Sequence, residues 1–388
     1  MRIDPKLKEW ATETQLKCID AVNELGWRGA ARDIGVRLST IQGAVSGVKK
    51  RAAKAGYAPE SDMTHIAPSP FDVSGVSTHY DADGKPTAQW VKTKLNNDKA
   101  YDALKEWVGW LVEDVKGKSP KIRAPARVNE DLLTVYPVGD PHLGMYSWAA
   151  ETGSDFDLEI AERLMCSAID RLVACAPASA IALLLELGDL FHADNSSNAT
   201  PRNANALDVD TRWARVLQIG LRVMIYTIKA LLKKHKKVIV KLNAGNHDPH
   251  TSFALSLALD AFFHLDDRVV VDLSPAVHWY YTFGKVLIGS THGDTTKVAA
   301  LPGVMAADRP VDWGGTTHRY WYLGHIHHRD MKEFPGVVCE YFRTLAARDA
   351  WHSQQGYRAG RDMVCIVHHK NHGEVERHRC DLSMLEAV

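Results

Sequence analysis

The sequence lacks several features that would assign a protein class at once. It has no apolar run near the roughly 18 residues that a membrane-spanning helix needs, and its first residues do not begin the apolar stretch of a signal peptide. Its six cysteines are scattered and form no Cys-x-x-Cys pair, which argues against a zinc ribbon or a disulfide framework. These absences lead us to expect a protein of the reducing cytoplasm, without a membrane partner.

The chain also lacks an excess of charge of either sign. Its 47 Lys and Arg are balanced by 47 Asp and Glu, so it is not a uniformly basic nucleic-acid coat. The charge is unevenly spread, however, because residues 28–54 hold seven basic side chains against one acid, Asp33, a local balance of +6. With 388 residues, 45% of them apolar, the chain is long enough for a large core and more than one domain.

The basic segment belongs to a predicted three-helix domain over residues 1–58. Apolar residues recur at helical spacing up to Gly26, a short second helix covers residues 28–34, and Gly35 precedes a third helix that Ser39 could cap. The layout resembles a homeodomain-like helix-turn-helix, whose third helix enters the major groove of DNA. The resemblance implies DNA contacts from the outer face of that helix, from Thr40, Gln42, Ser46, Lys49 and Lys50. A plain three-helix bundle with a solvated charged face is the alternative.

Residues 59–130 are predicted to form a linker region. Prolines at positions 59, 68 and 70 indicate an irregular start. Residues 76–80 and 89–92 flank a Gly-containing turn and predict a β-hairpin. Residues 98–115 carry one apolar stripe at helical spacing, which predicts an amphipathic helix.

From residue 131 the pattern alternates between strands and helices, which predicts an α/β catalytic domain over residues 131–388. Strands are expected at 132–138, 181–187, 238–243 and 286–290, with helices at 158–173, 211–232 and 252–263. The last part reads mostly as strands, at 319–323, 337–342, 363–368 and 374–378. The expected fold class is therefore α/β, with two packed mixed β-sheets flanked by helices and a small N-terminal all-α domain.

Five short motifs follow predicted strands of this domain in one order. They are Asp140-Pro141-His142, Gly188-Asp189, Gly245-Asn246-His247-Asp248, Thr291-His292-Gly293 and Gly324-His325-Ile326-His327. Side chains that follow strands can meet beyond one edge of a sheet, although they are far apart in sequence. The motifs supply seven candidate ligands, which suits two divalent metals that share a bridging carboxylate. Oxygen and imidazole donors without cysteine favour Mn²⁺, Fe or Zn²⁺ over a soft thiolate site, and Mg²⁺ stays open.

The ordered set of motifs, over about residues 131–330, resembles the calcineurin-like metallophosphoesterase superfamily. The resemblance implies that Asp140, His142 and His327 bind one metal, that Asn246, His292 and His325 bind the other, and that Asp189 bridges them. It also implies that His247 is the catalytic histidine, which donates a proton to the leaving oxygen, and that Asp248 orients its ring.

Gly188-Asp189-Leu190-Phe191-His192 is similar to the SbcD-like repair-exonuclease branch of that superfamily, and the Asp-Arg-Gly of phosphoprotein phosphatases is missing. This branch usually implies manganese. His192 and Arg212 are candidate substrate contacts, whereas Trp351 is interpreted as a packing residue. The sequence does not support the ATPase partner of the branch. A helix-turn-helix joined to such a domain is similar to arrangements in phages and prophages, so a bacterial or phage-infected cell is the expected setting.

The sequence therefore favours a metal-dependent phosphodiesterase that cleaves DNA, as an exonuclease or an endonuclease, with DNA as its partner. Two alternatives stay open. One is an enzyme that hydrolyses a small nucleotide or a phosphomonoester. The other is a DNA-binding regulator whose phosphoesterase domain is only structural.

Overall fold

The computed structural model describes residues 3–61, 63, 71–81, 85–95 and 116–385. The chain separates into two compact units, Met1–Trp107 and Val108–Val388. The predicted domain boundaries at residues 58 and 130 stay predictions. Among the described helices, none combines the length and the apolarity needed to cross a bilayer.

The first unit begins with a helical bundle. A 3-10 helix, Pro5–Trp10, precedes α1 (Glu13–Ile34) and α2 (Leu38–Lys54). The first two predicted helices are both present and together form α1. They meet at a kink at Gly26, whose φ is 72°. Gly35 ends α1 in the left-handed conformation, as a C-cap glycine does. Ser39 is not the cap of the next helix, because Arg37, two residues earlier, is the N-cap of α2.

The apolar faces of α1 and α2 close a small core around Ile19, Ile41 and Val48, each of which is fully buried. The predicted hairpin is also present, as β1 (Phe71–Tyr80) paired antiparallel with β2 (Pro86–Leu95). The predicted amphipathic helix at residues 98–115 lies outside the described residues.

The second unit contains a six-stranded mixed sheet. Its strands are β3 (Asn129–Val138), β4 (Ser179–Glu186), β5 (Lys237–Leu242), β6 (Val269–Asp272), β12 (Asp362–His369) and β13 (Gly373–Asp381), in the order β13-β12-β3-β4-β5-β6. β3 to β6 run parallel, and β12 joins β3 antiparallel. The central strands are apolar on both faces, as strands covered on both sides must be.

A second, five-stranded mixed sheet has the order β10-β11-β9-β8-β7. It comprises β7 (Trp279–Phe283), β8 (Val286–Thr291), β9 (His318–Leu323), β10 (Asp330–Phe334) and β11 (Val337–Tyr341). β8, β9 and β11 are parallel to one another, and the two outer strands are antiparallel to their neighbours.

Helices cover the outer face of each sheet, so the unit has four layers. On the first sheet lie α4 (Leu158–Cys175), α5 (Trp213–Lys234) and α6 (Thr251–Phe262), and on the second lie α7 (Leu301–Asp308) and α8 (Pro310–Gly315). Two short helices, α3 (Ala149–Thr152) and α9 (Ala350–Gln354), contact each other. Leu133, Leu185 and Ile288 belong to the apolar core between the sheets. The predicted fold class is confirmed.

Candidate metal centre

All seven predicted ligands follow carboxyl ends of parallel strands. Asp140 and His142 follow β3, Asp189 follows β4, and Asn246 follows β5, all in the first sheet. His292 follows β8, and His325 and His327 follow β9, in the second sheet. Because the two sheets pack face to face, these strand ends open onto one edge of the sandwich, and the seven side chains converge there.

One group of donors consists of Asp140, His142 and His327, whose ligand atoms all lie within 4.8 Å of one another. His142 Nε2 is 3.1 Å from His327 Nε2, and His327 Nε2 is 3.6 Å from Asp140 Oδ1. Asp140 is fully buried, and its two oxygens accept from the His325 backbone N–H at 2.8 and 2.9 Å. The group is the set predicted for the first metal.

A second group gathers around His292. Its Nε2 lies 3.0 Å from Asn246 Oδ1, 3.2 Å from Asp189 Oδ2 and 3.2 Å from His325 Nδ1. The other ring nitrogen, Nδ1, is 2.9 Å from the Leu187 carbonyl. That carbonyl can only accept, so Nδ1 carries the proton and Nε2 is left to act as a ligand. The set predicted for the second metal is therefore assembled too.

Asp189 lies between the two groups. Its Oδ2 is 3.2 Å from His292 Nε2 and 4.0 Å from His142 Nε2, while its Oδ1 accepts from the His247 backbone N–H at 2.8 Å. Burial opposes ionisation of Asp189, but the neighbouring His292 holds its pKa below the ordinary value. One ionised oxygen that faces both groups is what a bridging ligand requires.

The donor spacing fits divalent cations. With metal–nitrogen bonds of about 2.0–2.1 Å, neighbouring ligands of one octahedral or tetrahedral ion lie roughly 2.9–3.4 Å apart. The His142–His327 and His292–His325 nitrogens, at 3.1 and 3.2 Å, are within that range. Buried carboxylates beside buried imidazoles also need positive charge to compensate them. The chemistry of the set suits Mn²⁺, Fe or Zn²⁺ and does not choose among them.

The backbone of the site is held in an uncommon conformation. Five of the seven non-glycine residues with a left-handed φ in the described structure are predicted ligands: Asp140 (47°), His142 (46°), Asp189 (56°), His325 (74°) and His327 (56°). Such a conformation costs about 1–3 kcal/mol per residue and is found where surrounding structure enforces it for function. The strain is therefore concentrated on the donors.

Three glycines of the motifs make room for the donors. A Cβ on Gly188 would lie 2.5 Å from the His292 ring, and a Cβ on Gly324 would lie 2.7 Å from Asp140 Oδ2. A Cβ on Gly245 would lie 2.0 Å from Asp189 Oδ1. The motif glycines are thus required by close packing against ligand side chains.

His247 lies beside the donors, with its ring centre 4.9 Å from that of His142. Its Nδ1 donates to the His192 backbone carbonyl at 2.8 Å, which leaves Nε2 as the nitrogen that can exchange a proton with a ligand. Among the described contacts, the hydrogen-bond partner of this ring is the His192 carbonyl and not Asp248, from which the orienting role was expected.

Asp248 is buried and braces the loops instead. Its oxygens accept from the backbone N–H groups of Asp189, Gly245 and Phe191 and from the Ser252 hydroxyl, at 2.6–3.2 Å. Burial and the charge of Asp189 raise its pKa to about 7. Asp248 thereby joins the loops that carry two of the donor motifs, a positioning role without contact to the His247 ring.

The two candidate substrate contacts differ in position. His192 is buried next to the donors, with its Nδ1 3.2 Å from His142 Nδ1, and burial lowers its pKa to about 3. It therefore supports the His142 ring as a neutral partner. Arg212 is exposed at the start of α5 and takes part in none of the described contacts of the donor residues.

Two neighbours of the site were not found by sequence reasoning. Thr344 donates its hydroxyl to the Asp140 carbonyl at 2.6 Å. The His352 ring stacks on His327, with ring centres 4.7 Å apart, and its Nδ1 is 2.7 Å from Asp349 Oδ1. Both belong to the loop between β11 and β12, which carries no recognisable motif, so no signal in the sequence pointed to it.

No family model matches this sequence, and no curated protein matches it. Solved structures that are similar include a predicted phosphoesterase from Streptococcus pneumoniae, with 10% identity, 65% of this chain and 99% of that chain covered, and a TM-score of 0.26. A dimetal phosphatase from Danio rerio has 8% identity, coverage of 64% and 98%, and a TM-score of 0.34. Zinc-complexed Vps29 from Entamoeba histolytica has 13% identity, coverage of 64% and 98%, and a TM-score of 0.25. At such values these similarities do not bear on what this chain does.

In the first unit, the five predicted DNA contacts lie on α2. Thr40, Gln42, Ser46, Lys49 and Lys50 are all exposed there. Lys49 also forms an ion pair with Glu60 at 3.1 Å, and Arg51 donates to the Trp10 carbonyl at 2.8 and 2.9 Å. Lys50 is therefore a better candidate for a phosphate contact than Lys49, which pairs with Glu60, or Arg51, which binds the Trp10 carbonyl within the bundle.

Proposed function

We propose that this chain is a metallophosphoesterase that uses two divalent cations, manganese first among them, to hydrolyse phosphodiester bonds in DNA. The observation that carries the proposal is the convergence of seven oxygen and nitrogen donors from two sheets at ligand spacing, with Asp189 between the two groups. Strained backbone at five of these donors supports a site selected for function and not for stability.

We assign the donors to the two cations as the motifs predict. Asp140, His142 and His327 would hold one cation, Asn246, His292 and His325 the other, with Asp189 shared. When bound, such a pair lowers the pKa of water and neutralises the phosphate oxygens. His247 would deliver a proton from Nε2 to the departing oxygen, because the His192 carbonyl holds its Nδ1–H in place.

The helical bundle of the first unit would bring DNA to the enzyme. α2 presents Thr40, Gln42 and Ser46 beside Lys50, a polar face with positive charge at one end. Side chains of this kind read base edges and contact phosphates when a helix lies in the major groove. Most of the affinity would be electrostatic, so binding would weaken steeply as salt is added.

Activity with Mn²⁺ on several substrates tests the catalytic proposal. Wild type should degrade plasmid or linear DNA, and Asp189→Asn should not, because the shared carboxylate is removed. Asp267→Asn changes an exposed aspartate that is not one of the seven donors and serves as the matched control. A wild type that hydrolyses cyclic nucleotides or phosphomonoesters and leaves DNA intact would contradict the nuclease proposal. A wild type inactive on all of these would favour a DNA-binding regulator.

The targeting role needs a separate measurement. In the full chain, Gln42→Ala with Lys50→Ala should weaken duplex binding and flatten its dependence on salt, while activity on a small phosphodiester stays unchanged. Lys233→Ala removes an exposed charge from α5 and is the control. If the double variant binds and cuts duplex DNA as wild type does, the first unit is not a targeting domain.

A further inference from the structure

The loop between β11 and β12, residues 342–361, forms a border of the metal centre. Thr344 ties it to the Asp140 backbone, and His352 places its ring on that of His327 with an interplanar angle of 16°. The loop is also basic, with four arginines (343, 348, 358 and 361) against one acid, Asp349, although Arg343 is paired at 2.7 Å with Asp362, the first residue of β12. A border of this charge suits a polyanion that reaches the donors.

Trp351 lies on this loop, in the short helix α9, and was expected to be a packing residue. Instead, 56% of its surface is exposed. Its ring is nevertheless held in place, since it meets His352 edge to face at 4.9 Å and Tyr357 at 5.9 Å. The residue is thus a fixed aromatic ring with an open surface.

An exposed aromatic residue alone needs no explanation, because single apolar side chains are common on protein surfaces. Trp351 differs in its position. Its ring contacts that of His352, which in turn stacks on the predicted ligand His327. The ring centres along this path are 4.9 and 4.7 Å apart, so the Trp351 ring centre is at most 9.6 Å from that of His327. A strand whose phosphate lies at the donors would bring a base within reach of this ring.

We propose that Trp351 is a base-stacking residue, and that the enzyme therefore prefers single-stranded DNA or unpaired ends at the metal centre. The proposal rests on the phosphodiesterase function above and specifies its substrate. Aromatic side chains stack on bases of any sequence when the base faces are free. Within a duplex both faces of each internal base are covered by its neighbours, so Trp351 would gain nothing there.

Two readouts on the full chain test this. Binding of a labelled single-stranded oligonucleotide is measured with Mn²⁺ in a His247→Asn background, which slows cleavage, and cleavage is measured with Mn²⁺ in the wild-type background. Trp351→Ala should weaken binding about 5- to 150-fold, which corresponds to the usual stacking contribution of one base. Trp351→Tyr should keep most of the affinity, and Trp351→Leu, which keeps apolar bulk without an aromatic face, should lose it. Hydrolysis of methyl p-nitrophenyl phosphate, which has no base, should be unchanged in all three variants.

An abasic site gives the decisive comparison. Moved along the oligonucleotide, it should weaken wild-type binding at one position and have no further effect in Trp351→Ala, because both changes remove the same contact. Three outcomes would overturn the stacking proposal alone. The first is that the abasic site and Trp351→Ala weaken binding additively, and the second is that Trp351→Ala weakens binding to duplex and single strands equally. The third is that Trp351→Leu binds as tightly as wild type. If wild type cleaves no DNA but hydrolyses the small diester, the nuclease function and the stacking proposal fail together.

Discussion

Gly245 sets the position of the Asp189 carboxylate, which we propose to be shared by the two cations, through its lack of a side chain. An added Cβ would lie 2.0 Å from Asp189 Oδ1 and 2.2 Å from the Asp189 backbone nitrogen, and the latter cannot move away cheaply. We expect Gly245→Ala to lower Mn²⁺ affinity by about 10- to 100-fold, the usual effect of disturbing a group that supports a ligand. Isothermal titration calorimetry measures this directly.

Gly303 is the matched control. It lies within α7, and an added Cβ would have nothing within 4 Å. Gly303→Ala should leave Mn²⁺ affinity unchanged and raise the free energy of unfolding by about 0.5–1 kcal/mol, because alanine is the better helix former. A Gly245→Ala protein that binds Mn²⁺ as tightly as Gly303→Ala would show that the loop can absorb the clash.

His247 should matter only where the leaving group needs a proton. We expect His247→Asn to lower kcat on DNA about 10²- to 10⁴-fold, the typical contribution of a general acid. A phosphodiester with a p-nitrophenolate leaving group should be hydrolysed at nearly the wild-type rate, since that group departs without protonation. His264→Asn, at an exposed position, is the control. Equal losses on both substrates would assign His247 to binding instead.

At the scale of elements, an ion pair joins the two sheets. Glu340 of β11 is buried, with 1% of its surface exposed, and accepts from both terminal nitrogens of Arg377 of β13 at 2.6 and 2.7 Å. Arg329 adds a third contact at 3.1 Å. Arg377→Met should lower the free energy of unfolding by about 3–5 kcal/mol, because it leaves a buried carboxylate largely uncompensated. Urea unfolding measures the change.

Removing both charges is the informative control for this pair. Glu340→Gln combined with Arg377→Met should restore much of the lost stability, since the buried Glu340 charge is then removed and only the part-exposed Glu374 loses a partner. If the double variant is as unstable as the sum of the two single variants, the pair contributes through packing and not through charge.

Element prediction succeeded where apolar periodicity was strong. The buried strands β3, β4, β5 and β8 and the helices α4, α5 and α6 lie within a few residues of their predicted ranges. The strands β6, β7 and β10 were missed because each is four or five residues long and lies at an edge of its sheet. β10, with the sequence Asp-Met-Lys-Glu-Phe, is mostly polar, as edge strands often are, so it shows no buried face.

The site residues also differ in how far the sequence could predict them. The seven candidate donors could be predicted because their residue types suit divalent cations and because strand ends bring such residues together. The contacts of Asp248 and the position of Trp351 could not be predicted, because they depend on three-dimensional packing that no local pattern encodes. Asp248 accepts from Phe191 and Gly245, and Trp351 belongs to a loop that is placed by Thr344.

At the scale of the whole molecule, buried neutral histidines predict acid sensitivity. Burial lowers the pKa of His368 to about 3 and that of His235 to about 4, whereas an unfolded histidine has a pKa of about 6.5. Between these values the unfolded chain takes up protons that the folded chain excludes. Stability should therefore fall as pH drops below about 6.5, by up to about 1.4 kcal/mol per pH unit for each ring.

Urea unfolding in EDTA between neutral pH and pH values near the folded pKa tests this. His368→Gln should remove one ring's share of the slope, and His372→Gln, at an exposed position, should not change it. The Tyr322 hydroxyl, 2.8 Å from His368 Nε2, keeps a partner in the glutamine variant. Identical slopes in wild type and His368→Gln would mean that this ring is protonated in the folded state.

The donor set is divided between the sheets, with Asp140, Asp189 and Asn246 on one and His292 and His325 on the other. Any cation coordinated by donors from both sheets would cross-link the sheets at the edge where these strands end, a connection that neither sheet can make alone. Loading with Mn²⁺ should accordingly slow amide hydrogen exchange at residues 324–327 and 188–189 together, and far less in β13. The catalytic ions would then also be part of the architecture.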